Sequence, residues 1–316
     1  MAQITDFSNG ISAIDGGFGR PQLAAIHLLV EADRAALIDT GTYESVPRVL
    51  EALAERGLKP GQVDYVILTH IHLDHAGGAG LLMQRLPGAM LAVHPRGARH
   101  MADPSKLVAG TVAVYGEAAT RRMYGDIVPV DAQRIVETAD GSVLRLAGRE
   151  LLFLDTPGHA RHHVCIVDRG SGHVFAGDTF GLSYRELDRD GRQFVFPTTT
   201  PVQFDPQALH RSIERLLAFG PGAIYVTHYS QVREVPRLAA DLHRLIDAHV
   251  ELALREKDAG EARLKRLEVG IEAILLEEAR RHEWRIGRER LLALMAMDIG
   301  LNAQGLDVWL DSGKSA

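Results

Sequence analysis

The segment that most constrains this chain is a cluster of metal-binding residue types directly after a short apolar run. Residues 65–68 are predicted to form a buried strand, and three histidines and one aspartate follow within six residues: His70, His72, Asp74 and His75. In extended backbone, residues two apart share a face, which lets His70 and His72 point one way and leaves the other two for a second centre. Imidazole and carboxylate groups suit Zn²⁺, and also Fe and Mn. The cluster therefore predicts a metal site.

Three later segments repeat this arrangement. In each of them an apolar run, predicted to be a strand, ends in one residue that can bind a metal, and these residues are His159, Asp178 and His228. Seven candidate ligands at four strand ends are more than one metal ion needs. They match the needs of two metals that share a bridging carboxylate and a bridging water. Cys165 is the only cysteine, which excludes a thiolate metal cluster within one chain.

Composition narrows the class of protein further. The chain has 316 residues, of which 46% are hydrophobic and 24% charged, as is typical of a globular protein of about two domains. Its net charge of −6 argues against general binding of nucleic acid. We see no basic segment followed by an apolar stretch at the N-terminus and no apolar run of transmembrane length. We expect a cytoplasmic protein that acts on a small molecule, with no nucleic-acid or membrane partner.

The pattern of residue types along the chain changes near residue 235. Residues 1–234 alternate short apolar runs with turns marked by glycine and proline, which predicts a mixed α/β domain with two sheet-forming blocks. Residues 235–316 carry charges interleaved with leucine, isoleucine and alanine, which predicts a helical C-terminal appendage. The predicted helices cover residues 237–255, 261–281 and 288–299, with breaks near Gly260, Gly287 and Gly300.

The order of these motifs resembles that of the metallo-β-lactamase superfamily. The pattern His-x-His-x-Asp-His, followed by a His, an Asp and a His, carries the resemblance, which spans residues 10–230. Three further segments agree with it: LIDTG at 37–41, TPGH at 156–159 and FAGDT at 175–179. The resemblance implies an α/β fold, a four-layer αββα sandwich with the metals at one edge between its two sheets. In this chain a C-terminal helical region is added to that fold.

The resemblance also implies a role for individual residues. Asp39 would orient the metal-binding loop, and His163 would support the site through hydrogen bonds. The expected cofactors are two divalent metal ions, most simply Zn²⁺, with Fe or Mn as alternatives. The implied ligands are His70, His72 and His159 for the first metal, Asp74, His75 and His228 for the second, and Asp178 as the bridge between them.

Within the superfamily the chain resembles the hydroxyacylglutathione hydrolase, or glyoxalase II-like, branch. This implies a hydrolase in which a hydroxide bridging two metals attacks the carbonyl of an ester, thioester or lactone. Asp74 is the candidate catalytic residue, which would orient the nucleophile and shuttle the proton. The net positive charge of such a centre favours a small anionic substrate. Tyr184 and Arg185, which follow the bridging aspartate, are candidate substrate contacts.

Three alternatives remain open from sequence. The chain could be a mononuclear iron oxygenase, similar to the persulfide dioxygenases, or a phosphodiesterase acting on small phosphodiesters. It could also be a binding protein that retains metal without turnover.

The helices after residue 235 allow two interpretations. In the first, they fold over the metal edge and build the substrate pocket. The other is a solvated bundle that docks on the core or forms a homodimer.

Overall fold

The computed structural model describes residues 2–200 and 202–312, which form two β-sheets packed face to face between layers of helices. The first sheet contains β1 (Ile4–Asp6), β2 (Ile11–Asp15), β3 (Ala25–Glu31), β4 (Arg34–Ile38), β5 (Val63–Ile67), β6 (Met90–Val93) and β7 (Ile135–Glu137). The second contains β8 (Val143–Leu146), β9 (Arg149–Asp155), β10 (Val164–Asp168), β11 (His173–Gly177), β12 (Ile224–Val226) and β13 (Ser230–Val232).

Strand direction explains why the candidate ligands gather at one place. In the first sheet the strands lie in chain order, and β4, β5 and β6 are parallel neighbours. In the second sheet β11 and β12 are likewise a parallel pair, whereas the other neighbours are antiparallel. Because parallel strands end at the same edge of a sheet, the loops after β4 and β5 lie together in the first sheet, and those after β11 and β12 lie together in the second. With the loop after β9, they carry the sequence motifs and meet at one edge of the sandwich.

Alternation along each strand builds two separate cores. On β10, Val164 and Ile166 pack between the two sheets, whereas Cys165 and Val167 point toward the outer helices. The first sheet divides in the same way, because Ile67 of β5 belongs to the layer between the sheets and Val66 to the outer layer. Strands buried on both faces account for the short, continuous apolar runs in the sequence.

Helices cover both outer faces, which completes the four layers. Those of the first half are α1 (Val46–Glu55), α2 (Leu73–Ala76), α3 (Ala79–Arg85), α4 (Pro95–Ala102), α5 (Ser105–Tyr115) and α6 (Glu117–Tyr124). Those of the second half are α7 (Pro206–Leu217), α8 (Val235–Glu256), α9 (Arg263–Arg281), α10 (Arg288–Leu294) and α11 (Ala296–Asp311). Local sequence fixes their ends, as at α7, where the Asp205 carboxylate accepts a hydrogen bond from the Ala208 N–H at 3.0 Å. The predicted αββα sandwich with C-terminal helices is confirmed.

One helix boundary was predicted wrongly. The sequence predicts a break near Gly300, but α11 continues through that residue to Asp311, and the break lies instead at Met295. Burial of Ile299, Ala303 and Leu306 on one face of α11 outweighs the cost of a glycine in a helix, which is about 1 kcal/mol. Tertiary packing therefore overrides the local signal.

The C-terminal helices share one apolar cluster with the second sheet. Leu238 and Leu242 of α8 belong to the same apolar cluster as Val174 and Ala176 of β11. The division of the chain at residue 234 stays a prediction.

Across residues 2–200 and 202–312, no single helix is long and apolar enough to span a membrane. The pair α10 and α11, bent by 61° at the break between them, meets those criteria only when taken together.

Candidate metal centre

The strand ends bring all seven candidate ligands to one edge of the sandwich. Two of them precede the short helix α2 and two lie within it, directly after β5, and the others follow β9, β11 and β12. All are buried except His72 and Asp74, which are partly exposed. The side chains form three overlapping groups whose donor atoms lie within 4.8 Å of one another: His70, His72 and His159; His70, His75 and Asp178; and Asp74, His75 and His228.

The first group consists of three imidazoles that face a common point. His70 Nε2 lies 2.9 Å from His72 Nδ1, and His159 Nε2 lies 3.0 Å from the same atom. Burial and the neighbouring imidazoles hold the pKa of His70 and His72 well below the usual value. Both rings are therefore neutral at pH 7, which is the state in which imidazole binds a metal.

The second group combines one carboxylate with two imidazoles. Asp74 Oδ2 lies 3.6 Å from His75 Nε2 and 3.4 Å from His228 Nε2. Burial lowers the pKa of His75, but the carboxylates of Asp74, Asp178 and Asp39 together raise it well above its usual value. The carboxylates thus create a strongly negative potential, which a bound cation would satisfy.

Asp178 lies between the two groups. Its Oδ2 is 3.6 Å from His159 Nε2 in the first group, and its Oδ1 is 3.5 Å from His75 Nε2 and 3.7 Å from His228 Nε2 in the second. Each oxygen of one carboxylate therefore faces a different group. This is the position from which a carboxylate can bridge two metal ions.

The donor atoms fit a metal centre. His75 Nε2 and Asp178 Oδ1 are buried and have no hydrogen-bond partner, a costly arrangement that a metal ion at this point would resolve. In four of the five histidines Nδ1 already contacts a protein oxygen, which leaves Nε2 free to face the centre. For example, His159 Nδ1 lies 3.2 Å from the Thr198 carbonyl and His228 Nδ1 lies 2.8 Å from the Leu23 carbonyl.

Asp39 supports the second group and the loop after β5. It is buried, with φ of 62°, and accepts hydrogen bonds from the Thr69 N–H at 2.8 Å and from the Thr227 hydroxyl at 2.9 Å. Its Oδ2 also lies 2.9 Å from His75 Nδ1. One carboxylate thus ties the ends of β4, β5 and β12 together and fixes the orientation of His75.

His163 performs a similar task beside Asp178. The backbone N–H of Asp178 donates to His163 Nε2 at 3.1 Å, and His163 Nδ1 contacts the hydroxyls of Thr156 and Thr179 at 3.0 and 3.1 Å. Gly177 has φ of +49°, and a Cβ there would lie 2.6 Å from His163 Nε2. The glycine before Asp178 is therefore required by the imidazole that holds this loop.

A cavity of about 550 Å³ opens beside these groups. Tyr184 lines it and donates a hydrogen bond to the Asp298 carboxylate at 3.1 Å. Arg185 is not among the lining residues, because its guanidinium folds back to the Ser183 carbonyl at 2.6 Å and to the Asp188 carboxylate at 3.2 Å. The structure therefore brings Tyr184 to the cavity and leaves Arg185 outside it.

The C-terminal helices contribute to the cavity wall. Met297, Asp298 and Leu301 of α11 line it, so the reading in which these helices build the pocket describes the observed packing. Sequence reasoning missed Asp298 as a site residue, because no local motif distinguishes it from the other acidic residues of the tail. Only the packing of α11 against the loop after β11 brings it to the site.

Replacing Asp39 with asparagine is expected to weaken metal binding by roughly 10- to 100-fold. The amide would present a donor or a weaker acceptor to His75 Nδ1 and remove the charge that holds this imidazole in place. Competition with a chromogenic chelator measures the affinity. Thr227→Ser, which keeps the hydroxyl that donates to Asp39, is the matched control, and an unchanged affinity in Asp39→Asn would show that this carboxylate does not support the centre.

The family model for the metallo-beta-lactamase superfamily matches residues 20–228, two thirds of the chain and all seven candidate ligands. The chain belongs to this superfamily. The superfamily binds metal ions, and the histidine and aspartate groups described above can hold a metal. The resemblance drawn from the sequence motifs is confirmed.

Individual relatives agree with this assignment. A hydroxyacylglutathione hydrolase of Xanthomonas euvesicatoria is 33% identical over 203 residues, which are 64% of this chain and 58% of that protein. The chain thus spans little more than half the length of that hydrolase. An archaeal metallo-beta-lactamase superfamily protein from Sulfolobus tokodaii has the same fold, with a TM-score of 0.63 at 21% identity over 95% of this chain and 99% of that one. A metallo-beta-lactamase family protein from Thermus thermophilus gives a TM-score of 0.67 at 22% identity over 96% and 93%.

Proposed function

We propose that the protein is a hydrolase that uses two divalent metal ions, most simply Zn²⁺, to cleave an ester, thioester or lactone. The position of Asp178 carries the proposal, since its two oxygens face two separate groups of donors. A second set of ligands beside the first favours a centre with two metals over one with a single metal. The similarity to hydroxyacylglutathione hydrolases supports the hydrolase class.

The proposed ligands follow the three groups. His70, His72 and His159 would hold one ion, Asp74, His75 and His228 the other, and Asp178 would bridge them. When bound, the ions would supply Lewis acidity and a water that ionises near neutral pH. The five imidazoles are held through hydrogen bonds and packing, so the chain would orient the centre before substrate enters.

Asp74 is the proposed proton carrier. It lines the cavity and is the most exposed of the carboxylates in the centre, so it can reach both a nucleophile and a leaving group in that space. Its Oδ2 lies 3.4 Å from His228 Nε2, which fixes the direction of the carboxylate. A carboxylate held in this way can accept a proton from water and return it to the departing oxygen or sulfur.

Turnover of a substrate panel tests the proposal. The panel contains p-nitrophenyl acetate, a hydroxyacylglutathione thioester, a γ-lactone and bis(p-nitrophenyl) phosphate, each assayed with protein loaded with Zn²⁺, Mn²⁺ or Fe²⁺. We expect hydrolysis of at least one carboxylic substrate, loss of activity on chelation and recovery on adding metal back. Hydrolysis of the phosphodiester alone would contradict the proposal. The proposal would also be contradicted if the protein hydrolysed none of these substrates and the iron-loaded protein consumed oxygen.

A further inference from the structure

The cavity beside the metal centre has one polar end, and its other walls are mostly apolar. The polar end is formed by the candidate ligands, among them Asp74, Asp178 and His228. The remaining walls come from several parts of the chain: the loop before β3, α2, the helices α4 to α6, the loop after β11, and α11. Their apolar lining residues include Phe18, Leu73, Leu107, Tyr124, Leu182 and Leu301.

The charges in the cavity are almost all negative. Asp298 adds a third carboxylate to Asp74 and Asp178, and its only described hydrogen-bond donor from a neighbouring side chain is the Tyr184 hydroxyl. Among the described lining residues there is no arginine, and Lys106, exposed on α5, is the one lysine. Apart from a metal centre, Lys106 is therefore the one lysine or arginine that the described walls offer an anionic substrate.

The guanidinium of Arg20, beside the cavity residue Tyr184, does not add a cation to the cavity lining. Arg20 stacks on the ring of Tyr184, with its Cζ 4.3 Å from the ring centroid, and its Nη1 donates to the Glu186 carboxylate at 2.7 Å. It is not among the lining residues. Its positive charge therefore interacts with the Tyr184 ring and the Glu186 carboxylate.

Large apolar side chains also stay exposed along the cavity wall. Val114, Val202 and Met297 line the cavity, and their exposed fractions are 42%, 63% and 39%. They are three of the eight large hydrophobic residues that are exposed in the described part of the chain. Exposed apolar surface gathered around one cavity is typical of a site that binds an apolar group.

We propose that the substrate is a neutral ester or thioester whose acyl group is an apolar chain or ring that lies in this cavity. The inference rests on the proposed hydrolase function and names the class of its substrate. It departs from the anionic substrate expected from sequence, because a free carboxylate in the cavity would meet Asp298, and Lys106 is the one lysine or arginine among the described lining residues. Each methylene that leaves water for these walls would strengthen binding of the reacting ester.

The first test is a series of p-nitrophenyl esters assayed with the metal-loaded protein: acetate, butyrate, hexanoate and octanoate, with the succinate monoester as the anionic member. We expect kcat/KM to rise by up to roughly fourfold for each methylene that enters the cavity. The octanoate should exceed the butyrate by at least tenfold, and the succinate should fall below the butyrate. A flat or falling series, or a preference for succinate, would overturn the inference while leaving the hydrolase function intact. Failure to hydrolyse any ester or thioester would instead remove the proposed function.

Matched variants test whether the preference for long acyl chains arises in the cavity. Met297→Lys and Val114→Lys each add a cation at the wall, and Val269→Lys is the control, since Val269 is 53% exposed on α9 and is not a lining residue. We expect the octanoate-to-acetate ratio of kcat/KM to fall at least tenfold in the two cavity variants and to stay unchanged in the control. Equal ratios in all three variants would overturn the inference.

A binding measurement gives a readout that does not need turnover. Calorimetry with 1-octanol on metal-free protein should show a Kd at least tenfold higher in Met297→Lys than in Val269→Lys. Circular dichroism of each variant establishes that it is folded. Equal octanol affinity in the two folded variants would contradict the placement of the apolar group in this cavity.

Discussion

Asp178→Asn is expected to lower kcat by a factor of roughly 10³, because it removes the one charge that lies between the two groups of ligands. Asparagine has nearly the same shape as aspartate. It offers one oxygen where Asp178 has two, and it carries no charge to offset that of two cations. Because Asp178 is buried, the lost charge is screened little by solvent. The variant should also bind less metal.

Steady-state hydrolysis and metal content together check this expectation. Asp140→Asn is the control, since Asp140 is an exposed aspartate paired with Arg215 at 2.8 Å, away from the centre. Its activity should stay within roughly twofold of the wild type, as is usual for a surface substitution. If Asp178→Asn kept both full metal content and wild-type kcat, Asp178 could not be the bridge.

Arg149→Met is expected to destabilise the fold by about 3–5 kcal/mol, because it leaves a buried carboxylate without its partner. The exposed fractions of the Arg149 and Asp168 side chains are 5% and 0%, and Arg149 Nε donates to Asp168 Oδ1 at 2.7 Å. The same guanidinium donates to the Asn9 carbonyl at 2.7 Å and to Glu31 at 3.1 Å. It therefore connects the second sheet to the first.

Urea denaturation at pH 7 measures this loss, with Arg169→Met as the control. Arg169 forms an exposed ion pair with Glu150 at 2.8 Å, and removing such a pair costs about 1 kcal/mol or less. Burial raises the pKa of Asp168, but hydrogen bonds from Arg149 and Ser171 hold it below its usual value. Its contribution to stability is therefore present at neutral pH and is lost as the pH falls through that lowered pKa.

The pH dependence supplies a second check on the same pair. Without Arg149, only the hydrogen bonds from Ser171 and Gly170 would oppose the effect of burial, so the pKa of Asp168 would rise. Asp168 would then be protonated at a higher pH in the variant than in the wild type. The stability difference between wild type and Arg149→Met should therefore shrink as the pH is lowered from neutral toward 4. A difference that stays constant over this range, or one of the size found for Arg169→Met, would show that the pair does not stabilise the fold as described.

The position of the centre was predictable because its residues follow strands directly. A polar residue after an apolar run has little freedom, since the strand is fixed by burial on both faces and the next residue leaves at the edge of the sheet. For this reason the spacing of His70, His72, Asp74 and His75 correctly predicted that these side chains lie together. The same reasoning covers Asp178, which directly follows β11.

The cavity was not predictable in the same way. Its walls combine α5 and α6 with α11, which lies far from them in sequence. Nothing local to Leu107, Met297 or Asp298 indicates that they face one space. Arg185 lies outside the cavity for a different reason. Ser183 and Asp188, which are close to it in sequence, contact its guanidinium directly. The hydrophobic periodicity of the sequence does not predict such side-chain contacts within a loop.

Metal content per chain tests the central claim most directly. The protein is purified without added metal or chelator and measured by plasma mass spectrometry, beside His228→Ala and the control His210→Ala, whose imidazole lies on α7 outside the centre. We predict about two metal ions per chain in the wild type and in His210→Ala, and about one in His228→Ala. A single iron per chain that is unchanged in His228→Ala would contradict the two-metal centre.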